Sequence, residues 1–187
     1  MTQQAMTGQS ASTSAPPSAS TSVSASGSTV GEQFVGAQSA RAGGAPRRVA
    51  VVTGGSRGIG RESAERLAAD GFAVVVNYAG NRTEAEAAVA AITAAGGEAV
   101  AQQADVADEV AVAALFDAAE AAFGGIDVVV HAAGVMALAP LAELELDTLD
   151  RMHRTNIRGT FVVDQQAVLR LREGGAIINF SSSVLSL

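Results

Sequence analysis

Five short apolar runs, separated by segments with helical periodicity, restrict the possible folds of this chain more than any other feature. The runs are RRVAVVTG, FAVVVNY, EAVAQQAD, IDVVVHAAG and AIINFSS, beginning at residues 47, 72, 98, 126 and 176. Runs that are mostly apolar, rather than alternating with polar residues, indicate strands buried on both faces of a parallel sheet. The pattern therefore predicts a doubly wound α/β domain over residues 47–187.

Helical segments fill the intervals between these runs. The spacing predicts helices from Gly58 to about Asp70, over the Ala-rich stretch before Gly96, and over the stretch that ends at Gly124. Residues 147–172 are also predicted to be mostly helical. Strand five is then expected to begin at Ala176.

Residues 1–46 differ sharply from the rest and consist mainly of Ser, Ala, Thr, Gly and Gln. Such a segment cannot bury enough apolar surface to offset the entropy lost on ordering, so a disordered tail is predicted. It is interpreted as a flexible extension or the product of a misassigned start codon. A transit peptide is the alternative, because the segment is rich in Ser and poor in acids.

The charged and sulfur-containing residues exclude several classes of site. The chain has no cysteine, which excludes disulfides, thiolate catalysis and Cys-based zinc sites. Its 12 basic residues are all arginine. A net charge of −7 argues against a nucleic-acid surface. No apolar run is long enough to span a membrane, and His131 and His153 lack metal-ligand spacing. We therefore expect a cytoplasmic protein without a metal site.

The first strand runs into a glycine-rich turn, VVTGGSRGIGRE, with Gly54, Gly58 and Gly60. Glycines there allow a tight turn and a close approach of backbone to a ligand, while the following helix offers N–H groups to a pyrophosphate. A P-loop is excluded because it requires a lysine. The alternative is a strand–helix turn that binds nothing.

The spacing T-G-x-x-x-G-x-G resembles that of the short-chain dehydrogenase/reductase family, which has a Rossmann fold. Four further segments match in the right order: AD-V at Asp105, HAAG at His131, RTNIRGTF around Asn156, and IINFSS around Ser182. The resemblance covers about residues 48–187 and is closest to the branch with the 3-oxoacyl-[acyl-carrier-protein] reductases.

This resemblance implies a set of site residues. Asn156 and Ser182 fall at catalytic positions. The implied cofactor-binding residues are Gly54, Ser56, Arg57, Gly58, Ile59, Gly60, Asn77, Arg82, Asp105, Val106, Ala133 and Gly134. Some assignments have alternatives: Asp105 as a helix cap, Ser183 in place of Ser182, and His131 as a structural residue rather than a general base. Ala132 departs from the family's N-N-A-G.

The end of the second strand bears on the choice of cofactor. An NAD site usually has an acidic residue there to bind the ribose 2′-OH. Asn77 stands at that place. Arg57 in the glycine-rich turn and Arg82 just after the second strand are both placed to reach a 2′-phosphate. We therefore predict that NADP(H) is favoured over NAD(H).

In the resembled family, a Tyr-x-x-x-Lys pair after the catalytic serine supplies the proton. The 187 residues contain one tyrosine, Tyr78, and no lysine. The sequence is therefore expected to be a C-terminally incomplete fragment or partial sequence, inactive as it stands, of an enzyme for a small-molecule carbonyl or alcohol. Homo-oligomers are expected for full-length family members and are doubtful for the fragment. The alternatives are a non-catalytic nucleotide-binding or regulatory protein and, less favoured, a methyltransferase-type domain.

Overall fold

Parallel strands in the order β3-β2-β1-β4-β5 form the sheet of the computed structural model, which describes residues 47–181. The strands are β1 (Val49–Thr53), β2 (Ala73–Tyr78), β3 (Glu98–Gln103), β4 (Ile126–His131) and β5 (Leu171–Asn179). All four pairings are parallel, which confirms the predicted sheet. The predicted tail, residues 1–46, and residues 182–187 lie outside the described part of the chain.

The α-helices of the described region are α1 (Gly58–Ala69), α2 (Arg82–Ala94), α3 (Glu109–Phe123), α4 (Leu146–His153) and α5 (Gly159–Arg170). One turn of π-helix, Arg154–Arg158, joins α4 to α5, and a short 3₁₀ turn covers Leu141–Glu143. The prediction that residues 147–172 are mostly helical is confirmed. The π turn was not predicted, and it proves important at the site.

The helices pack on both faces of the sheet, as a doubly wound fold requires. Ala50, Val52, Val74 and Val76 face a cluster with α1 and α2 residues, whereas Val51 and Val75 face a cluster with α3 and α5 residues. Alternate residues of each strand point to opposite faces, so both β1 and β2 must be apolar along their whole length. Burial of the strands on both sides explains the uninterrupted apolar runs.

Strand β5 begins earlier than the sequence pattern predicts. It starts at Leu171 rather than Ala176, and Ile126 pairs with Leu171 while Val128 pairs with Ala176. The additional residues form a bulge at Gly174, whose φ is +81°. The Gly174–Gly175 pair therefore belongs to an irregular strand, and the expected helix up to residue 172 ends at Arg170.

The order of the strands places a crevice at the C-terminal ends of β1 and β4. Successive strands β1, β2 and β3 run to one side of β1, whereas β4 lies on its other side. The change in direction leaves the loops after β1 and β4 on opposite faces, with a gap between them. Within residues 47–181, no helix combines the length and apolar character needed to cross a membrane.

Candidate functional site

A cavity of about 790 Å³ opens at this crevice. Every predicted cofactor-binding residue except Arg82 lines it. The remaining lining residues are Tyr78, Ala79, Gly80, Asn81, Glu84, Ala104, Ala132, Val135, Arg151, Arg154 and Thr155. The structure thus brings together segments that follow β1, β2, β3 and β4.

The glycine-rich turn after β1 is shaped by two close approaches of backbone. Gly54 has a φ of +63°, and a Cβ there would lie 2.8 Å from Cα of Ala133 in the loop after β4. A Cβ on Gly60 would lie 2.8 Å from the carbonyl carbon of Gly54 and closer still to its oxygen. Both positions therefore require glycine for steric reasons. Gly58 has a φ of +54°, but a Cβ there would meet no atom within 4 Å, because this residue borders open space.

The N-terminus of α1 is arranged to accept an anion. Its N-cap residue, Arg57, makes no side-chain capping bond, and the first turn holds no acidic residue. The unsatisfied N–H groups and the positive end of the helix dipole therefore open into the cavity beside Ser56 and Gly58. These features fit the pyrophosphate of a dinucleotide.

Arg57 and Arg82, the two arginines predicted to contact a 2′-phosphate, differ in their surroundings. Arg57 is exposed, lines the cavity and has no ion-pair partner within residues 47–181. Arg82 donates from Nε to Oε1 of Glu86 at 2.6 Å, and this carboxylate raises the pKa of Arg82. Its side chain does not line the cavity. The geometry therefore makes Arg57 the better-placed cation.

Asn77, at the end of β2, lines the cavity and also holds two strands together. Asn77 is buried, and its Nδ2 donates to the carbonyl oxygens of Gln102 at 3.3 Å and Ala104 at 3.1 Å. The amide thus fixes the end of β2 to β3. Glu84, in the first turn of α2, also lines the cavity, and this carboxylate was not predicted to belong to the site.

Asp105 lines the cavity just after β3. Its Oδ1 accepts from the backbone N–H of Ala107 at 2.9 Å, and its Oδ2 accepts from Nη2 of Arg154 at 2.9 Å. The cap of α3 is Asp108, which accepts from the N–H groups of Val110 and Ala111. The alternative interpretation of Asp105 as that helix cap is therefore wrong.

The end of β4 is tied to β1 by a buried hydrogen-bond chain. The hydroxyl of Thr53 lies 2.8 Å from Nδ1 of His131, and its oxygen accepts from the N–H of Ala133 at 3.3 Å. Burial lowers the pKa of His131, opposed in part by the charge of Asp164. Nδ1 of His131 and the Thr53 hydroxyl share one hydrogen bond between β4 and β1, and Nε2 of His131 is buried without a partner among residues 47–181. His131 therefore acts structurally here, and it does not line the cavity.

Of the two predicted catalytic residues, only Asn156 is described. It lies in the π turn, where its Nδ2 donates to the carbonyl oxygen of Val135 at 2.7 Å and its Oδ1 accepts from the N–H of Val135 at 2.8 Å. The side chain thus fixes the loop after β4, and its role in a proton relay stays a prediction. Ser182 and Ser183 lie outside the described residues.

The lining is more positive than the protein as a whole. The chain carries a net charge of −7, yet three arginines line the cavity against two carboxylates. Arg151 and Arg154 were missed in the sequence, although their i, i+3 spacing puts both on one face of a helix. An anion in the cavity is therefore favoured despite the acidic surface.

Comparisons with known proteins agree with this geometry. A sequence model of the family described as short chain dehydrogenase matches residues 48–185. An uncharacterized oxidoreductase of Methylorubrum extorquens is 48% identical over 73% of this chain and 55% of its own length. A versicolorin reductase of Emericella nidulans is 44% identical over 75% of this chain and 53% of its own length.

A solved structure gives a third comparison. A short chain dehydrogenase from Burkholderia cenocepacia, in complex with NADP, is 46% identical with a TM-score of 0.67. The match covers 72% of this chain and 54% of that one. The chain thus spans about half the length of the curated relatives it matches.

Proposed function

Because this chain belongs to the short-chain dehydrogenase family, we propose that its cavity binds NADP(H) for hydride transfer to or from a small-molecule carbonyl or alcohol. The observation that carries the proposal is the uncapped N-terminus of α1, which opens into the cavity next to Arg57. The solved relative from Burkholderia cenocepacia was obtained in complex with NADP. When bound, the nicotinamide supplies or accepts the hydride.

The residues of this chain divide the work of holding the dinucleotide. The N–H groups of the turn from Ser56 to Gly60 bind the pyrophosphate, because helix N-termini favour negative charge. Asp105 and Val106 are the cavity residues that contact the adenine ring. Ala133 and Gly134 line the part of the cavity left for the rest of the cofactor. Thr53 holds the N–H of Ala133, and Gly54 packs against Ala133 without a side chain between them.

Arg57 is proposed to give the preference for the phosphorylated cofactor. A charge-assisted bond to a 2′-phosphate contributes about 1.5–3 kcal/mol, or roughly ten- to a hundredfold in affinity. Glu84 opposes this preference, because its carboxylate lines the same cavity and repels a phosphate. Arg82 contributes less than Arg57, since it is already bonded to Glu86.

Titration of NADPH and NADH against four proteins tests this assignment. Wild type should bind NADPH more tightly than NADH, and Arg57→Ala should lose most of that preference. Arg82→Ala is the matched control and should keep it, whereas Glu84→Gln should increase it. Equal affinities in wild type, or an unchanged preference in Arg57→Ala, would contradict the proposal.

Catalysis by the 187-residue chain alone is proposed to be absent. Reduction of a carbonyl requires a proton donor for the developing alkoxide. The chain has no lysine, and its single tyrosine, Tyr78, lies at the end of β2 on the adenosine side. Asn156 and Ser182 are proposed to act only together with a Tyr-x-x-x-Lys pair of the family type.

Self-association of a longer family member is proposed to use α5. Phe161, Val168 and Leu169 on this helix are 67–77% exposed, although they are large and apolar. Exposed apolar residues grouped on one element often mark a protein interface. Light scattering on the chain with a family-like C-terminal extension, with and without Phe161→Ser, tests this. Loss of assembly in the variant supports the proposal, and unchanged assembly contradicts it.

A further inference from the structure

The ion pair between Arg154 and Asp105 joins parts of the chain that are 49 residues apart. Both side chains line the cavity and are about half exposed, at 53% for Arg154 and 48% for Asp105. Exposed pairs of this kind contribute little to stability. We therefore expect the pair to affect ligand binding at the cavity more than the free energy of folding.

The pair leaves the Asp105 carboxylate fixed but not saturated. An ionised carboxylate offers about four acceptor positions, and the N–H of Ala107 and Nη2 of Arg154 use one on each oxygen. Asp105 and Val106 both line the cavity, so the remaining acceptor positions are available to a ligand bound there. A carboxylate held on both oxygens cannot turn to suit a different partner.

We propose that Arg154 is a specificity-determining residue for the base of the cofactor, acting by positioning Asp105 to accept from the 6-amino group of adenine. The inference rests on the proposed binding of NADP(H). Adenine carries an amino donor at position 6, whereas hypoxanthine carries an acceptor oxygen there. A fixed acceptor favours the first and repels the second, because an acceptor facing another acceptor stays unpaired.

A second ion pair on the same π turn provides a matched control. Nη2 of Arg158 lies 2.8 Å from Oε1 of Glu109, with similarly exposed side chains. Arg158 and Glu109 do not line the cavity. Loss of Arg158 therefore removes an equivalent charge and ion pair, together with the 3.0 Å bond from its Nε to the carbonyl oxygen of Ala107, and leaves both hydrogen-bond partners of Asp105 in place.

The test is a comparison of NADPH with its hypoxanthine analogue, deamino-NADPH, which has the same phosphates. Their binding to the 187-residue chain is measured for wild type, Arg154→Ala, Arg154→Gln and Arg158→Ala. Wild type should prefer NADPH by about tenfold, the value of one charge-assisted hydrogen bond. Arg154→Ala should reduce the ratio to about threefold or less, and Arg154→Gln, which keeps a donor, should restore part of it. Arg158→Ala should match wild type.

The ratio separates base recognition from simple attraction of phosphates. If Arg154 only attracts the phosphates, Arg154→Ala lowers both affinities equally and keeps the ratio, which overturns the inference and leaves the proposed function standing. Equal binding of the two ligands by wild type also overturns it. Failure of wild type to bind either dinucleotide overturns the proposed function and this inference together. Circular dichroism of each variant verifies that Arg154→Gln or Arg154→Ala is folded when its ratio is measured.

Discussion

Substitution of Gly60 by alanine tests whether the turn after β1 is shaped as the structure shows. A Cβ at this position would overlap the carbonyl of Gly54, which is backbone and cannot rotate away. Forcing extra volume into a packed region costs about 1–3 kcal/mol, and the upper end applies to a backbone clash. Alanine gains about 1 kcal/mol over glycine in a helix, so the net loss should be about 2 kcal/mol.

Gly58→Ala is the matched control, two residues earlier in the same turn. Its positive φ costs about 1–2 kcal/mol for alanine, and the lower entropy of the unfolded chain returns about 0.4–1 kcal/mol. No atom lies within 4 Å of the new Cβ, so no clash is added. Gly58→Ala should therefore lose at most about 1.6 kcal/mol, and it should weaken NADPH binding by intruding on the cavity.

Urea unfolding followed by circular dichroism measures both variants, because the chain has no tryptophan for fluorescence. With a typical slope of about 2 kcal/mol per molar urea, Gly60→Ala should lower the midpoint by about 1 M. Gly58→Ala should lower it by less than about 0.8 M. Equal midpoints for wild type and Gly60→Ala, or a larger loss for Gly58→Ala, would refute the reasoning.

Two further predictions concern protonation and turnover. Because burial lowers the pKa of His131 below its ordinary 6.5, the unfolded chain binds a proton that the folded chain does not. Stability should thus fall as the pH drops below about 6.5, by at most about 1.4 kcal/mol per pH unit, and His131→Asn should show a smaller fall. The chain alone should reduce no carbonyl with NADPH, since loss of a general acid costs about 10²–10⁴-fold. A family-like extension with Tyr-x-x-x-Lys should restore turnover, which Ser182→Ala should abolish and Ser183→Ala should reduce less; activity of the chain by itself would contradict this.

The strands and the glycine turn could be predicted because their signals are local. Strands buried on both faces must be apolar along their length, and Gly54 and Gly58 adopt conformations that few other residues tolerate. The start of β5 could not be predicted in this way. Gly174 and Gly175 resemble a break between elements, and only pairing with β4 shows that they form a bulge.

Local backbone motifs explain why the predicted residues meet at one cavity, and their role in cofactor binding stays a prediction. Contacts between side chains distant in sequence could not be predicted. The ion pair of Arg154 with Asp105 depends on how the π turn packs against the end of β3. The register between β2 and β3 pairs Asn77 with Gln102, so the Asn77 side chain donates to the backbone of β3. A bond from Asn77 to a cofactor ribose was the only role considered from the sequence. The pairing of Arg82 with Glu86, by contrast, has i, i+4 spacing, a signal in the sequence that the prediction for Arg82 did not use.

The most direct test of the proposed site is a map of amide chemical shifts as NADP⁺ is added to the labelled 187-residue chain. We expect saturable changes concentrated at Ser56–Gly60, at Asp105 and Val106, and at Ala133 and Gly134. Residues on the opposite end of the sheet, such as Gly71 and Gly96, should not change. An absence of shifts, or shifts concentrated away from the C-terminal ends of β1 and β4, would contradict the account.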